Sequence, residues 1–277
     1  AAPTEGQTIK WNGTNWVPGD IEESASGTQK AIFGFGQELT NAGYSTDNTN
    51  ITNLVSSSGV VASDTTGVGS ARAALSASGY GGDKAIFGFG SIVDYTSISN
   101  LVSNAGVVAT DTTGVGLARN SLAGAGFGGD KAIFGFGFND SKSNITNLVS
   151  NTGVVATDTT GVGTTRTNLA AAGFGGGKAI FGFGYNNSYS NITNLVSNTG
   201  VVASDTTGVG TDRSSLAAAG YGGDKALFGF GGAEISYALN TYNITNLVSN
   251  TGVVASDTTG VGLARNSLAG AGYSSTA

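Results

Sequence analysis

The chain repeats itself five times, and this self-similarity narrows the possible folds more than any other feature. Each copy carries Lys-Ala-Ile/Leu-Phe-Gly-Phe-Gly, beginning at Lys30, Lys84, Lys131, Lys178 and Lys225. Asn-Ile-Thr-Asn-Leu-Val-Ser follows, with Ser97-Ile98-Ser99 as the variant in the second copy. Then come Gly-Val-Val-Ala-Ser/Thr-Asp-Thr-Thr-Gly-Val-Gly and an arginine: Arg72, Arg119, Arg166, Arg213 or Arg265, always 22 residues after Asn-Ile-Thr or Ser-Ile-Ser begins. All length variation falls between Phe-Gly-Phe-Gly and Asn-Ile-Thr, where the linkers run 13, 6, 6, 6 and 11 residues. A stretch that tolerates such variation inside a strict repeat is expected to be a surface loop.

Within each copy the apolar stretches are short, rich in Val, Ile, Phe and Thr, and bounded by Gly, Asn, Asp and Ser. That pattern predicts strands joined by turns. Four segments qualify: Asn-Ser-Leu-Ala-Gly-Ala-Gly-Tyr, Ala-Ile-Phe-Gly-Phe-Gly, Asn-Ile-Thr-Asn-Leu-Val and Gly-Val-Val-Ala-Ser. Four strands in a period of about 47 residues describe a propeller blade. The order of pieces resembles kelch repeats, and the resemblance covers residues 30 to 273. It departs from them in that Phe-Gly-Phe-Gly replaces Gly-Gly, the fourth-strand Trp is missing, and Leu stands for the third-strand Tyr.

The resemblance implies an all-β fold: one five-bladed, kelch-like β-propeller over residues 30–277, preceded by a short hairpin or linker over residues 1–29. In that register the C-terminal strand, Asn266 to Tyr273, closes the first blade. The Ala, Gly and Ser of the first strand suit the crowding near a five-fold axis. Pairs such as Phe134 and Phe136 would fill the space between blades if both face one side of their strand. The N-terminal segment holds both tryptophans, and Asn12-Gly13 between them is a hairpin signal. A lone hairpin is marginal in water, so packing on the propeller or on copies of itself is expected, with homo-oligomerisation through this segment. Trp-Asn-Gly-Thr-x-Trp-Val-Pro resembles the short linker of bacteriophage tail-fibre and related adhesin proteins. Ala1 reads as a processed or fragment terminus.

Composition removes several function classes. With no Cys, neither disulfides nor thiolate metal sites are possible, and with no His the usual general base and commonest metal ligand are gone. A net charge of -6 argues against binding nucleic acid, whose phosphates require Lys and Arg. The apolar runs are far shorter than the roughly 20 residues of a membrane helix, so no membrane insertion is expected. Gly-Phe-Gly-Gly-Asp suggests a phosphate loop, but no helix follows it. The loop acids Glu38, Asp47, Asp94, Asp140 and Glu234 fall at different positions in each copy. That scatter does not suit a paired-carboxylate hydrolase, and no catalytic residue, metal or cofactor is expected.

Two residue sets remain. One is a ring of Asp64, Asp111, Asp158, Asp205 and Asp257 with the five arginines. It could bind ions, but turn capping by Asp and pairing with Arg between neighbouring blades explain it better. The other is the variable loops, where Tyr44, Tyr95, Phe138, Tyr185, Tyr189, Tyr237 and Tyr242 sit among Asn, Ser and Thr. Sugar rings stack on aromatic faces and present hydroxyls to amides. Glycan contact is therefore expected at Tyr44, Tyr95, Phe138, Asn139, Tyr185, Asn186 and Tyr237, although each ring could also simply pack its own loop. N-glycosylation patterns occur at Asn12, Asn50, Asn139, Asn144, Asn186, Asn191 and Asn243. These features suit an extracellular or virion-surface adhesin. A filament subunit and a stand-alone five-bladed lectin are the alternatives, the unequal loops speaking against five equivalent lectin sites.

Overall fold

A computed structural model of the chain describes residues 7–11, 15–20, 30–40, 45–235 and 238–272, and every regular element among them is a β-strand. In chain order they are β1 (Gln7–Trp11), β2 (Trp16–Asp20), β3 (Ala31–Thr40), β4 (Ser45–Val55), β5 (Ser76–Tyr80), β6 (Lys84–Gly88) and β7 (Ser99–Val102). These are followed by β8 (Ala123–Phe127), β9 (Lys131–Gly135), β10 (Phe138–Asn139), β11 (Ser141–Lys142), β12 (Thr146–Val149) and β13 (Ala170–Phe174). The last are β14 (Lys178–Gly182), β15 (Thr193–Val196), β16 (Ala217–Tyr221), β17 (Lys225–Gly229), β18 (Gly232–Ile235), β19 (Ala238–Thr241) and β20 (Thr245–Val248). The tryptophan-bearing strands β1 and β2 pair as expected, Trp11 opposite Trp16. Modules two to five are small antiparallel sheets, β5-β6-β7, β8-β9-β12, β13-β14-β15 and β16-β17-β20, whereas module one has β3 and β4 alone.

The expected fourth strand is not a strand. In module two, Gly-Val-Val-Ala-Thr turns back on β7 and touches it at two single bridges, Val102 to Val108 and Ser99 to Thr112. The reason is local: Asn100 on β7 donates through Nδ2 to Ala109 O at 3.0 Å and to Asp111 Oδ1 at 2.9 Å. A side-chain amide thus stands where ladder bonds would continue, and Asn147, Asn194 and Asn246 do the same in modules three to five.

The core is a series of slabs between successive modules. Ile133, Phe136 and Phe127 of module three pack with Leu169, Phe181 and Val196 of module four, and equivalent clusters join modules two to three and four to five. The inner sheets are therefore covered on both faces, which is why Ala-Ile-Phe reads as an unbroken apolar run.

The second Phe of each Phe-Gly-Phe-Gly has a left-handed backbone, φ 64° at Phe89, Phe136 and Phe183, which costs about 1 kcal/mol in a non-glycine residue. That twist breaks strand alternation, so the two rings of a pair serve different neighbours. Phe134 packs on Phe89 of the preceding module at 5.5 Å, and Phe136 on Phe181 of the following one at 5.1 Å. The pairs do fill the space between modules, but from opposite sides.

The first strands lie side by side. A backbone ladder joins their leading ends, with Ser121 N to Ala74 O, Asn168 N to Ser121 O, Ser215 N to Asn168 O and Ser267 N to Ser215 O at 2.8–3.0 Å. The expected closure of module one is not formed among the described residues. Residues 266–272 lie in no strand, and β3 pairs only with β4. The C-terminal segment is held by module five instead, where Gly270 and Gly272 sit close against the backbone of Ala218 and Gly220 on β16.

Candidate functional site

The repeated Asp and Arg meet at a corner between modules, the Arg buried and the Asp facing solvent. Arg72, Arg119, Arg166 and Arg213 are fully buried, each with its guanidinium 4.2–4.6 Å from the centroid of its own module's Phe35, Phe89, Phe136 or Phe183. Each reaches into the next module. Arg119 donates from Nε to Phe136 O at 2.8 Å and from Nη2 to Asn147 Oδ1 at 2.7 Å. The next module's aspartate returns the contact by accepting from a backbone N–H: Asp111 from Ser70, Asp158 from Leu117, Asp205 from Thr164 and Asp257 from Thr211, at 2.9–3.0 Å.

Burial lowers the four buried arginines to about 10, against the opposing pull of the aspartates, so they remain charged at neutral pH. Burial pushes Asp111, Asp205 and Asp257 up, but hydrogen bonds from Ser70, Thr164 and Thr211 and from the module's own Asn, with the Arg charge, hold them below the usual range. Among the described residues, Arg72 Nη2 and Asn100 Oδ1 at the first corner, whose counterparts bond to one another at the other corners, find no partner, and neither does Arg166 Nε at the third. At the end of the array Arg265 is exposed, unlike the four arginines before it.

The variable linkers form the other candidate. They gather along the leading ends of the first strands, tied there by bridges such as Asn120 to Phe138, Thr167 to Tyr185 and Ser214 to Gly232. Two linkers extend as hairpins, β10-β11 and β18-β19, and in module one β3 and β4 themselves run out into the linker. Neighbouring linkers touch: Asn48 Nδ2 donates to Ile92 O at 2.7 Å, and Lys142 Nζ donates to Asn187 Oδ1 at 2.7 Å while lying 5.2 Å from the Tyr185 ring centroid.

Between the linkers of modules four and five opens a cavity of about 840 Å³, lined by Asn168, Tyr185, Asn187, Ser188, Tyr189, Ser214, Ser215, Gly232, Glu234, Leu239 and Asn266. Its two tyrosine rings stand 5.3 Å apart, edge to face. Glu234 is the single carboxylate among the described lining residues. A glycosidase pair would need a second one within about 5–10 Å.

The expected glycan residues divide accordingly. Tyr185 lines the cavity, with Asn186 beside it in the same linker. Tyr95 and Phe138 pack on each other at 5.9 Å across modules two and three, and Asn139 donates to Ala118 O, so these three brace their linkers. Tyr44 and Tyr237 lie outside the described residues. The cavity floor, Asn168, Ser214, Ser215 and Asn266, was not anticipated. A signal existed: the two positions after each arginine vary between copies, Asn-Ser at 120–121 and again at 266–267 but Ala73-Ala74, Thr167-Asn168 and Ser214-Ser215 in the others. The glycosylation-pattern residues Asn50, Asn144, Asn191 and Asn243 instead donate from Nδ2 to Gly69, Gly163, Gly210 and Gly262 O.

At the other end of the first strands a second cavity, about 450 Å³, is ringed by three Gly-Gly-Asp-Lys turns and the Gly-Gly-Gly-Lys turn that ends at Lys178. Lys84, Lys131 and Lys225 there pair with the preceding Asp83, Asp130 and Asp224 at 2.9–3.3 Å, which cancels most of the local charge. No protein-family model matches the chain, and a search of curated proteins finds no match either.

Proposed function

We propose that the chain is a non-enzymatic, surface-exposed binding protein, a tail-fibre-like adhesin whose linker face takes up a cell-surface glycan. The observation that carries this reading is the cavity between the linkers of modules four and five, with its tyrosine pair, side-chain amides, hydroxyls and single carboxylate. Its volume falls within the range of ligand sites, about 300–1,000 Å³. Apolar sugar faces suit the Tyr185 and Tyr189 rings, and hydroxyls suit Asn168, Asn187 and Glu234. The finer fold reading is that the modules are kelch-like propeller blades, fanned about the glycine-lined second cavity in an array open between the fifth and the first. An extracellular or virion-surface location and self-association through the β1-β2 hairpin belong to the same proposal.

A glycan-array screen of the full chain tests it, with Tyr185→Ala/Tyr189→Ala and Tyr95→Ala/Phe138→Ala compared side by side. Selective binding that the first variant loses and the second keeps is the expected result. Absence of selective binding in the unaltered protein would remove the adhesin reading.

A further inference from the structure

The corner between modules occurs four times inside the chain, and its two halves appear once more, unfilled among the described residues, on modules one and five. The trailing half is on module five. Arg265 already holds the pose of its buried counterparts, with its guanidinium 4.0 Å from the Phe230 ring centroid and Nη1 donating to Leu263 O at 3.0 Å. Arg265 is nevertheless exposed, as are Leu247 and Leu263. At Gly88, Gly135 and Gly182 the next module's Phe134, Phe181 or Phe228 ring lies 2.6–3.0 Å from where a Cβ would be, a seat only glycine provides. Among the described residues no ring lies over the seat at Gly229.

The leading half is on module one. Phe33 is 54% exposed, whereas its counterparts Phe87, Phe134, Phe181 and Phe228 are buried. Asn53 donates to Asp64 Oδ1 at 2.8 Å, as in the internal corners, but among the described residues no backbone N–H of another module donates to Asp64 as Ser70 does to Asp111. Gly59, whose equivalents Gly106, Gly153, Gly200 and Gly252 meet the preceding module's leucine, meets nothing within 4 Å among the described residues.

We propose that these halves are a head-to-tail interface between two copies of this chain. Phe33 of one copy enters the seat at Gly229 of the other. Arg265 reaches the Phe35 carbonyl and Asn53, and Asp64 accepts from the Leu263 N–H. The occupant follows from continuity with four internal interfaces of the same residues and from the opposite charges of Arg265 and Asp64. This goes beyond the glycan reading, and the two can fail separately because none of the interface residues lines the glycan cavity. The arrangement is heterologous, so repeated addition lengthens the array or closes a larger ring.

The test is sedimentation of the full chain over a wide concentration range, with Arg265→Ala and Phe33→Ala, both exposed positions, as variants. The unaltered chain is expected to exceed the 27.3 kDa of one copy increasingly with concentration. Each variant alone should shift that association at least tenfold towards higher concentration. An equimolar mixture of the two should regain part of the association that each alone has lost, because each retains one sound half. A chain that stays monomeric at every concentration overturns the proposal. If Arg265→Ala then also lowers the unfolding midpoint, the halves meet within one chain. Association unaffected by both variants overturns it too and assigns self-association elsewhere, such as the β1-β2 hairpin.

Discussion

The corners between modules and the linker face put similar polar groups to opposite uses. At the corners, identical residues recur in every copy, and a charged arginine is buried with its partners supplied by two successive modules. On the linker face, residues differ from copy to copy, and the tyrosines and amides of modules four and five are left around open space. Invariance with burial marks the part that holds the array together. Divergence around an opening marks the part free to specialise, since changing a linker residue there disturbs no repeated contact.

The sharpest way to break this contrast is at the arginines. Arg119→Ala strips bonds from Phe136 O and Asn147 and leaves them buried, so a loss of about 3–5 kcal/mol is expected in urea unfolding. Arg265→Ala, at an exposed copy of the same corner, should cost about 0.5 kcal/mol or less at low protein concentration. Equal losses would mean that burial between modules is not what gives the corner its strength.

Acid should act on the corners next. Because Asp111, Asp205 and Asp257 have folded pKa values below their unfolded ones, their contribution is fully present above the unfolded value, about 3.9, and is lost as pH falls through the lower folded values. Unfolding midpoints should hold steady from pH 7 to about 5 and fall below about 4. Asp205→Asn, which removes one such carboxylate, should flatten that fall.

A stability effect as small as that of Arg265→Ala is expected at the linker face. Tyr185→Ala should change stability by about 0.5 kcal/mol while abolishing glycan binding. A large stability loss there would make Tyr185 a brace, like Tyr95 and Phe138.

The repeat, the strand-rich character and the place of the linkers were all legible in the sequence, because period, β-branched runs and length variation are one-dimensional signals. The fourth segment misled because its Val-Val-Ala looks like any short strand. The Asn100 amide that replaces its ladder bonds is visible only once β7 and that segment face each other. The Asp and Arg ring was legible as pairing between neighbours, since identical spacing implies an identical seat. Which aromatics brace and which line a cavity was not legible. Tyr95 finds Phe138 across a module boundary, and the floor from Asn168 to Asn266 comes from first-strand leaders that the ladder draws together.

The account's claim about function is tested most directly by titrating the protein, its tyrosine rings isotopically labelled, with the glycan selected on the array and following the ring signals by NMR. The account predicts that Tyr185 and Tyr189 shift with ligand while Tyr80 and Tyr221, beside the second cavity, stay fixed. Movement of Tyr80 and Tyr221 with Tyr185 and Tyr189 unchanged would contradict it and place the binding at the other end of the first strands.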